Sequence, residues 1–184
     1  GFVMAFIAAF VLGLVAGTYS GFNAYFLPFL VAMRATPVVA FILLLLIWFR
    51  IDWVPVIIAF ITMFPIIYTN VTKGMKEVDN NLREMVKVYH VPPYERLRSV
   101  YLPSISGFLF GGIATALGFG WRAIIIGEVL SQPGSGIGTR LREAYAYFDV
   151  AQVISWTLCA VLISYGFDQL MSNIEKHSVR WKED

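Results

Sequence analysis

Cysteine, histidine and charge are the scarce commodities in this chain. Of its 184 residues only 14% are charged, against about a quarter in an ordinary soluble domain. The lone Cys159 sits in an apolar stretch, so no disulfide framework and no cysteine metal site can be built. His90 and His177 lie far apart with no carboxylate at ligand spacing, which leaves no metal or catalytic site to propose. No G-x-x-x-x-G-K-[ST] stretch occurs, so the loop that cradles ATP phosphates is missing. With 14 Lys plus Arg against 12 Asp plus Glu, the chain also lacks the basic excess of a nucleic-acid binder.

Apolar residues fill the space these absences leave: 58% of the chain is hydrophobic, with 15 Phe, 9 Tyr and 5 Trp in long runs. A bilayer core about 30 Å thick needs roughly 20 apolar residues per helix. Five runs approach that size: Phe2 to Tyr19, Pro37 to Phe49 extended backwards through Arg34, Val54 to Val71, Ser104 to Gly127, and Val150 to Met171. Only helices satisfy their own backbone in lipid, so the fold class is all-α, a polytopic transmembrane helical bundle forming one domain over 1–184. Pro55 and Pro65 are positions at which the third helix could kink. The first residue is Gly1 and no basic segment precedes the first run, so the start is read as truncated or processed.

Short cytoplasmic loops retain Lys and Arg. Residues 72–103 hold Lys73, Lys76, Arg83, Lys87, Arg96 and Arg98, and the tail holds Lys176, Arg180 and Lys182. Both are expected inside, together with Arg34, leaving Arg50, Arg140 and Arg142 outside. Five helices then put Gly1 outside, and a further helix is expected upstream. Small residues recur at packing intervals, Ala5, Ala9, Gly13 and Gly17 in the first helix and Gly107, Gly111, Ala114 and Gly118 in the fourth, which lets backbones approach.

Residues 72–103 are the least membrane-like part. Val78, Leu82, Met85, Val86 and Tyr89 repeat at helical spacing, and Asn81 with Glu84 has the form of a capping box. Val91, Pro92 and Pro93 end that helix, and Tyr94, Leu97, Val100 and Tyr101 form a second short set running up to Pro103. Two helices lying on the membrane surface and a docking segment both fit this pattern. The spacing Glu84-Met85-Val86, three residues, His90, nine residues, Val100, one residue, Leu102-Pro103 resembles the EAA loop of binding-protein-dependent ABC importer permeases. The register agrees throughout, with Met85 and Val86 replacing two alanines and His90 the glycine, so the turn is expected to differ in shape.

Arg34-Ala35-Thr36-Pro37, Ile47-Trp48-Phe49, Phe64-Pro65-Ile66-Ile67, Gly120-Trp121 with Glu128, Gly136-Ile137-Gly138 and Val179-Arg180-Trp181-Lys182 extend the resemblance to the nitrate, sulfonate, taurine and bicarbonate branch. It implies a type I ABC importer permease in a bacterial or archaeal inner membrane, moving by alternating access a sulfonate-, taurine- or nitrate-like anion or a small vitamin precursor. Its implied partners are a second permease copy, two cytoplasmic ATPase subunits carrying ATP and Mg, an extracytoplasmic substrate-binding protein and membrane lipid. No cofactor, metal or nucleic acid is expected on this chain. Glu84, Met85, Tyr89, His90, Pro92 and Tyr94 are the candidate ATPase-coupling residues, with a capping role for Glu84 standing beside the docking one.

Arg122, with Trp121 and Glu128, is the candidate for the translocation path or its gate. Intramembrane charge is expensive and marks function by default, although a structural ion pair with another helix fits Arg122 equally. Glu128 lies about 120° around the helix from it, poorly placed to pair. The glycines 134, 136 and 138 form a loop on the expected outer side with no strand before it, unlike a nucleotide site. An ion-coupled secondary transporter would show repeats and paired intramembrane charges, and a scaffold would not need the Glu84–Pro103 register.

Overall fold

The computed structural model describes residues 1–179, with side chains through 174. The side chains of Lys176 and His177, and residues Arg180, Trp181 and Lys182, lie outside the described set. Among the described residues the regular structure is helical: α1 (Phe2–Thr18), α2 (Ser20–Ala35), α3 (Val38–Trp48), α4 (Val54–Lys76), α5 (Asn80–Val88), α6 (Pro93–Arg96), α7 (Leu102–Ser131), α8 (Ile137–Ala146) and α9 (Val150–Val179).

α4 is the centre, with more than half its residues buried, among them Ile58, Met63, Ile67, Tyr68 and Val71. It gets there because its neighbours are stripped to small side chains along the seams. α1 runs parallel to it: Ala5, Ala9, Gly13 and Gly17 are all buried, as their spacing predicts. A methyl on Gly13 would sit 2.9 Å from Val71 Cβ, and one on Gly17 would overlap the Met75 side chain. α7 runs antiparallel on the other side, with Gly74 opposite Ile105 and Phe108, and Gly127 opposite Pro55. Its buried stripe is Gly112, Ala116, Gly120, Ala123 and Gly127. The stripe expected from the sequence lies one step round the helix, where Gly107 and Gly111 have nothing within 4 Å of an added methyl.

The five-span expectation changes in detail. Among the described residues three helices are long and apolar enough to cross a membrane, over Ile51–Lys76, Pro93–Ser131 and Val150–Ile174. The second expected span is a broken one: α2 and α3 qualify only together and meet at 96°. The break has a local cause, since Pro37 forces Thr36 into the extended region (φ −75°, ψ 127°). α1, at 17 residues, is about 25 Å long and short of the bilayer core. Pro65 is housed inside α4 as one continuous helix.

The fourth span begins earlier than expected. Instead of a separate surface helix, α6 passes through a π-helical turn, Leu97–Tyr101, straight into α7. Pro103 has no N–H to return to Ser99, so the ladder widens and the Leu102 N–H reaches back to Leu97 O.

Candidate functional site

Three groups of side chains carry chemistry. The first is the segment between α4 and α7. α5 starts two residues earlier than a capping box on Asn81 would place it, because Asp79 is the cap, its carboxylate accepting from the Asn81 N–H at 2.7 Å. Glu84 therefore has no part in the cap and stands exposed. Val86 is the inward anchor of α5, 1% exposed, while Met85, Val88, Tyr89 and Tyr94 face out. Arg83 ties α5 to the end of α4. Its guanidinium donates to Met75 O and, through Nε, to Val78 O at 3.2 Å, the place where a helix C-terminus favours a cation. α5 is thus held to α4 at its base with its outer face bare.

The turn after α5 shows what His90 does in the glycine position. The Val91 N–H donates to Val86 O at 3.1 Å and the His90 N–H to Lys87 O at 3.2 Å, the paired bonds of a Schellman ending. His90 occupies the left-handed position at φ 51°. The shape a glycine would give is kept, so the expected change of turn shape does not occur, and Nδ1 lies 3.0 Å from Val88 O. Pro92 caps α6, and the Arg96 guanidinium reaches back to Val91 O at 3.1 Å.

The second group lies where α7, α8 and α9 meet. Arg122 is exposed and, with Trp121, Thr157, Ser164, Tyr165 and Asp168, lines a cavity of about 450 Å³. Among the described residues it makes no ion pair within 4.0 Å. It does not share the buried seam of α7, which faces α4. Trp121 clasps α9, its indole N–H donating to Ala160 O at 3.2 Å and its ring meeting Phe167 edge-on at 5.7 Å. Glu128 does something else: Oε2 accepts from the Gly138 N–H at 2.7 Å, at the start of α8. Gly136 makes room, with φ 149° and a would-be methyl 2.5 Å from the carboxylate. The carboxylate sits where a helix N-terminus favours negative charge. So the three path candidates split, with Arg122 at an open cavity and Trp121 and Glu128 fastening neighbouring helices to α7.

The third group is one that sequence reasoning misses as a site. Arg34, expected at the cytoplasmic mouth, reaches the level of Pro65, the middle residue of α4. Its Nη2 donates to Pro65 O at 2.6 Å and to the Thr69 hydroxyl. The break at Pro37 is the signal that could locate it, because a bend there brings the end of α2 within reach of Pro65 and Thr69 on α4, with the Arg34 side chain still exposed. Asp168, facing the same cavity as Arg122, is likewise absent from the sequence candidates, although it is the one acid in the last apolar run.

Comparison with known proteins fits a chain of this architecture. Residues 9–180 match the family model described as binding-protein-dependent transport system inner membrane component. A Bacillus subtilis (strain 168) protein provisionally named aliphatic sulfonates transport permease SsuC is 26% identical over 93% of this chain and 63% of its own length. Its Escherichia coli (strain K12) namesake is 30% identical over 81% of this chain and 57% of its own. The bicarbonate transport system permease protein CmpB of Synechococcus elongatus is 23% identical over 98% of this chain and 65% of its own. The chain spans about 63% of the length of the Bacillus relative. With several apolar helices and a match over most of its length, the chain belongs to the binding-protein-dependent ABC transport family as a multi-pass inner-membrane permease component.

Proposed function

We propose that this chain is the membrane path of an ATP-driven importer that moves a small oxyanion, sulfonate- or bicarbonate-like, by alternating access. The relatives' names motivate that substrate class. ATP and Mg are bound by two separate cytoplasmic subunits, an external binding protein delivers the solute, and two permease copies form the path between them. An ion-coupled carrier and a passive scaffold both leave the family match unexplained.

The observation that carries this reading is α5. It is a short helix with one buried anchor, Val86, and an exposed row of Met85, Val88 and Tyr89, fixed to the end of the central helix by Arg83. Docking of a helix in a groove uses anchors at this spacing. A push on α5 is passed to α4 through Arg83 and to α7 through α6, which runs into it without a loop. The experiment is crosslinking in the assembled complex. With Cys159→Ser as background, Met85→Cys and Tyr89→Cys should crosslink to the ATPase. Labelling of either by an impermeant thiol reagent added outside the cell would overturn the reading.

A further inference from the structure

Between α2 and α4 lies a cavity of about 210 Å³ that the functions above do not use. Its polar lining includes Asn23, Arg34, Tyr68, Thr69, Lys73 and Lys76. Among the described residues no carboxylate lines it. Thr69, Lys73 and Lys76 follow at intervals of four and three and so share one face of α4. Arg34, itself exposed, stands level with the middle of α4, and Lys73 and Lys76 stand towards its end.

Three cations around one small cavity repel one another, and that repulsion is relieved by an anion or by water. Arg34 carries the stronger argument. A guanidinium at this depth is costly in lipid, and the structure holds it through Nη2 alone, on Pro65 O and Thr69. Its Nε–H and Nη1–H groups stay available for charge-assisted bonds to the oxygens of an anion. The Asn23 amide N–H groups supply the neutral donor, since the Tyr68 hydroxyl donates to Asn23 Oδ1 at 3.4 Å and the Thr69 hydroxyl to Pro65 O at 2.8 Å. Leu27, Leu30 and Val31 make the opposite wall apolar.

We propose that this cavity is an oxyanion-binding vestibule, taking a sulfonate, carboxylate or phosphate group with Arg34 at its head and Lys73 and Lys76 at its open end. The oxyanion comes from the transported solute or from a phospholipid head group. The vestibule deepens the importer reading by giving its substrate a binding place, and it rests on that reading only for what passes through.

The test uses the assembled transporter in phosphatidylcholine nanodiscs, with Cys159→Ser and a single reporter, Leu27→Cys, on the apolar wall. Two thiol reagents of similar size are compared: sulfonatoethyl methanethiosulfonate, which carries an anion, and its trimethylammonioethyl counterpart. Relative to a free thiol, the anionic reagent should be favoured about tenfold, given three cations at an intermediate effective dielectric. Arg34→Gln and Lys73→Gln should each lower that ratio about threefold, and Arg34→Lys should retain most of it. The ratio is taken within one preparation, so a poorly expressed variant does not distort it. Adding phosphatidylglycerol separates the sources. A ratio that collapses in its presence supports a lipid head group, and a ratio that persists but is competed by ethanesulfonate supports a solute. A ratio equal to that of free thiol, or one favouring the cationic reagent, overturns the vestibule. Failure of the α5 crosslink with an intact ratio overturns the importer reading alone.

Discussion

α4 and α9 are both long apolar helices, yet more than half of α4 is buried within the chain while none of the described residues of α9 is. Hydrophobicity does not separate them; their neighbours do. α4 is met by α1 and α7 along seams of glycine and alanine, with its own Gly74 making room for Ile105 and Phe108, so backbones close on it from two sides. α9 touches the rest of the fold through a few clasps, chiefly the Trp121 bond to Ala160 and the ring contact with Phe167. Among the described residues much of its outer surface is exposed aliphatic side chain, Ile154, Leu158, Val161 and Leu162 among them. In lipid the hydrophobic effect gives no preference between helix and acyl chain, and close packing is what holds helices together. By that measure α1, α4 and α7 are the rigid body, and α9 is an element whose position other surroundings complete.

The largest expected contrast comes from adding one methyl to each. At Gly17 it would overlap Met75, and Gly17→Ala should cost about 1–3 kcal/mol, as overpacking does. At Gly166 on α9 nothing lies within 4 Å, so Gly166→Ala should leave stability unchanged or raise it by up to about 1 kcal/mol through helix propensity. Thermal unfolding of the detergent-solubilised protein reads both. Equal losses at the two sites would mean that α9 is packed in solution and would erase the contrast.

Next in size is the fastening of α8. Gly136→Ala meets the Glu128 carboxylate and an unfavourable φ together, and about 1–3 kcal/mol is expected for such strain. Glu128→Ala removes the obstacle as well as the bond to the Gly138 N–H, so the double variant should be less destabilised than the sum of the singles. A coupling of about 1 kcal/mol in a double-mutant cycle is expected for groups in contact. Additivity would detach Glu128 from the loop.

Arg122 tests the open side of the comparison. It is exposed and no acidic side chain pairs with it among the described residues, so Arg122→Met should shift stability by less than about 0.5 kcal/mol. Substrate uptake by the assembled complex should nevertheless fall, because the charge at the cavity is gone. Assembly and uptake have to be measured on the same preparation. A complex that falls apart would reveal a structural charge with a partner on another chain, and normal uptake would remove Arg122 from the path.

The buried core of this comparison is the part most legible in the amino-acid sequence. The α1 seam follows from a spacing of four, and the Glu84–Pro103 register locates a segment whose turn adopts a glycine-like conformation even with His90 in it. Other features are hidden for physical reasons. α7 has two faces of small residues, one through Gly107 and Gly111 and one through Gly112 and Gly120, and composition cannot tell which turns inward. α2 carries Asn23, Pro28 and Arg34, which dilute the apolar signal, so a helix and a bend read as the prelude to one span. Glu128 and Gly138 meet across a loop, outside any helical periodicity.

The smallest expected effect is at His90, and its sign is informative because two terms nearly cancel. A residue with a Cβ in the left-handed region loses about 1–2 kcal/mol relative to the right-handed one, and histidine is among the side chains that tolerate it best, so the lower figure applies. Glycine removes that strain but leaves the unfolded chain freer, which takes back about 0.5–1 kcal/mol. The substitution also deletes the contact between Nδ1 and Val88 O, an exposed interaction of small worth. His90→Gly should therefore change stability by about 0.5 kcal/mol or less, with the Schellman bonds intact. Amide exchange at Val91, whose N–H closes the turn on Val86 O, checks the geometry apart from the global melting temperature. Unchanged protection at Val91 with a small shift in melting is the expected result. A loss above about 1 kcal/mol would mean that the imidazole holds the turn through contacts of its own, and that α5 is positioned by His90 as well as by Arg83.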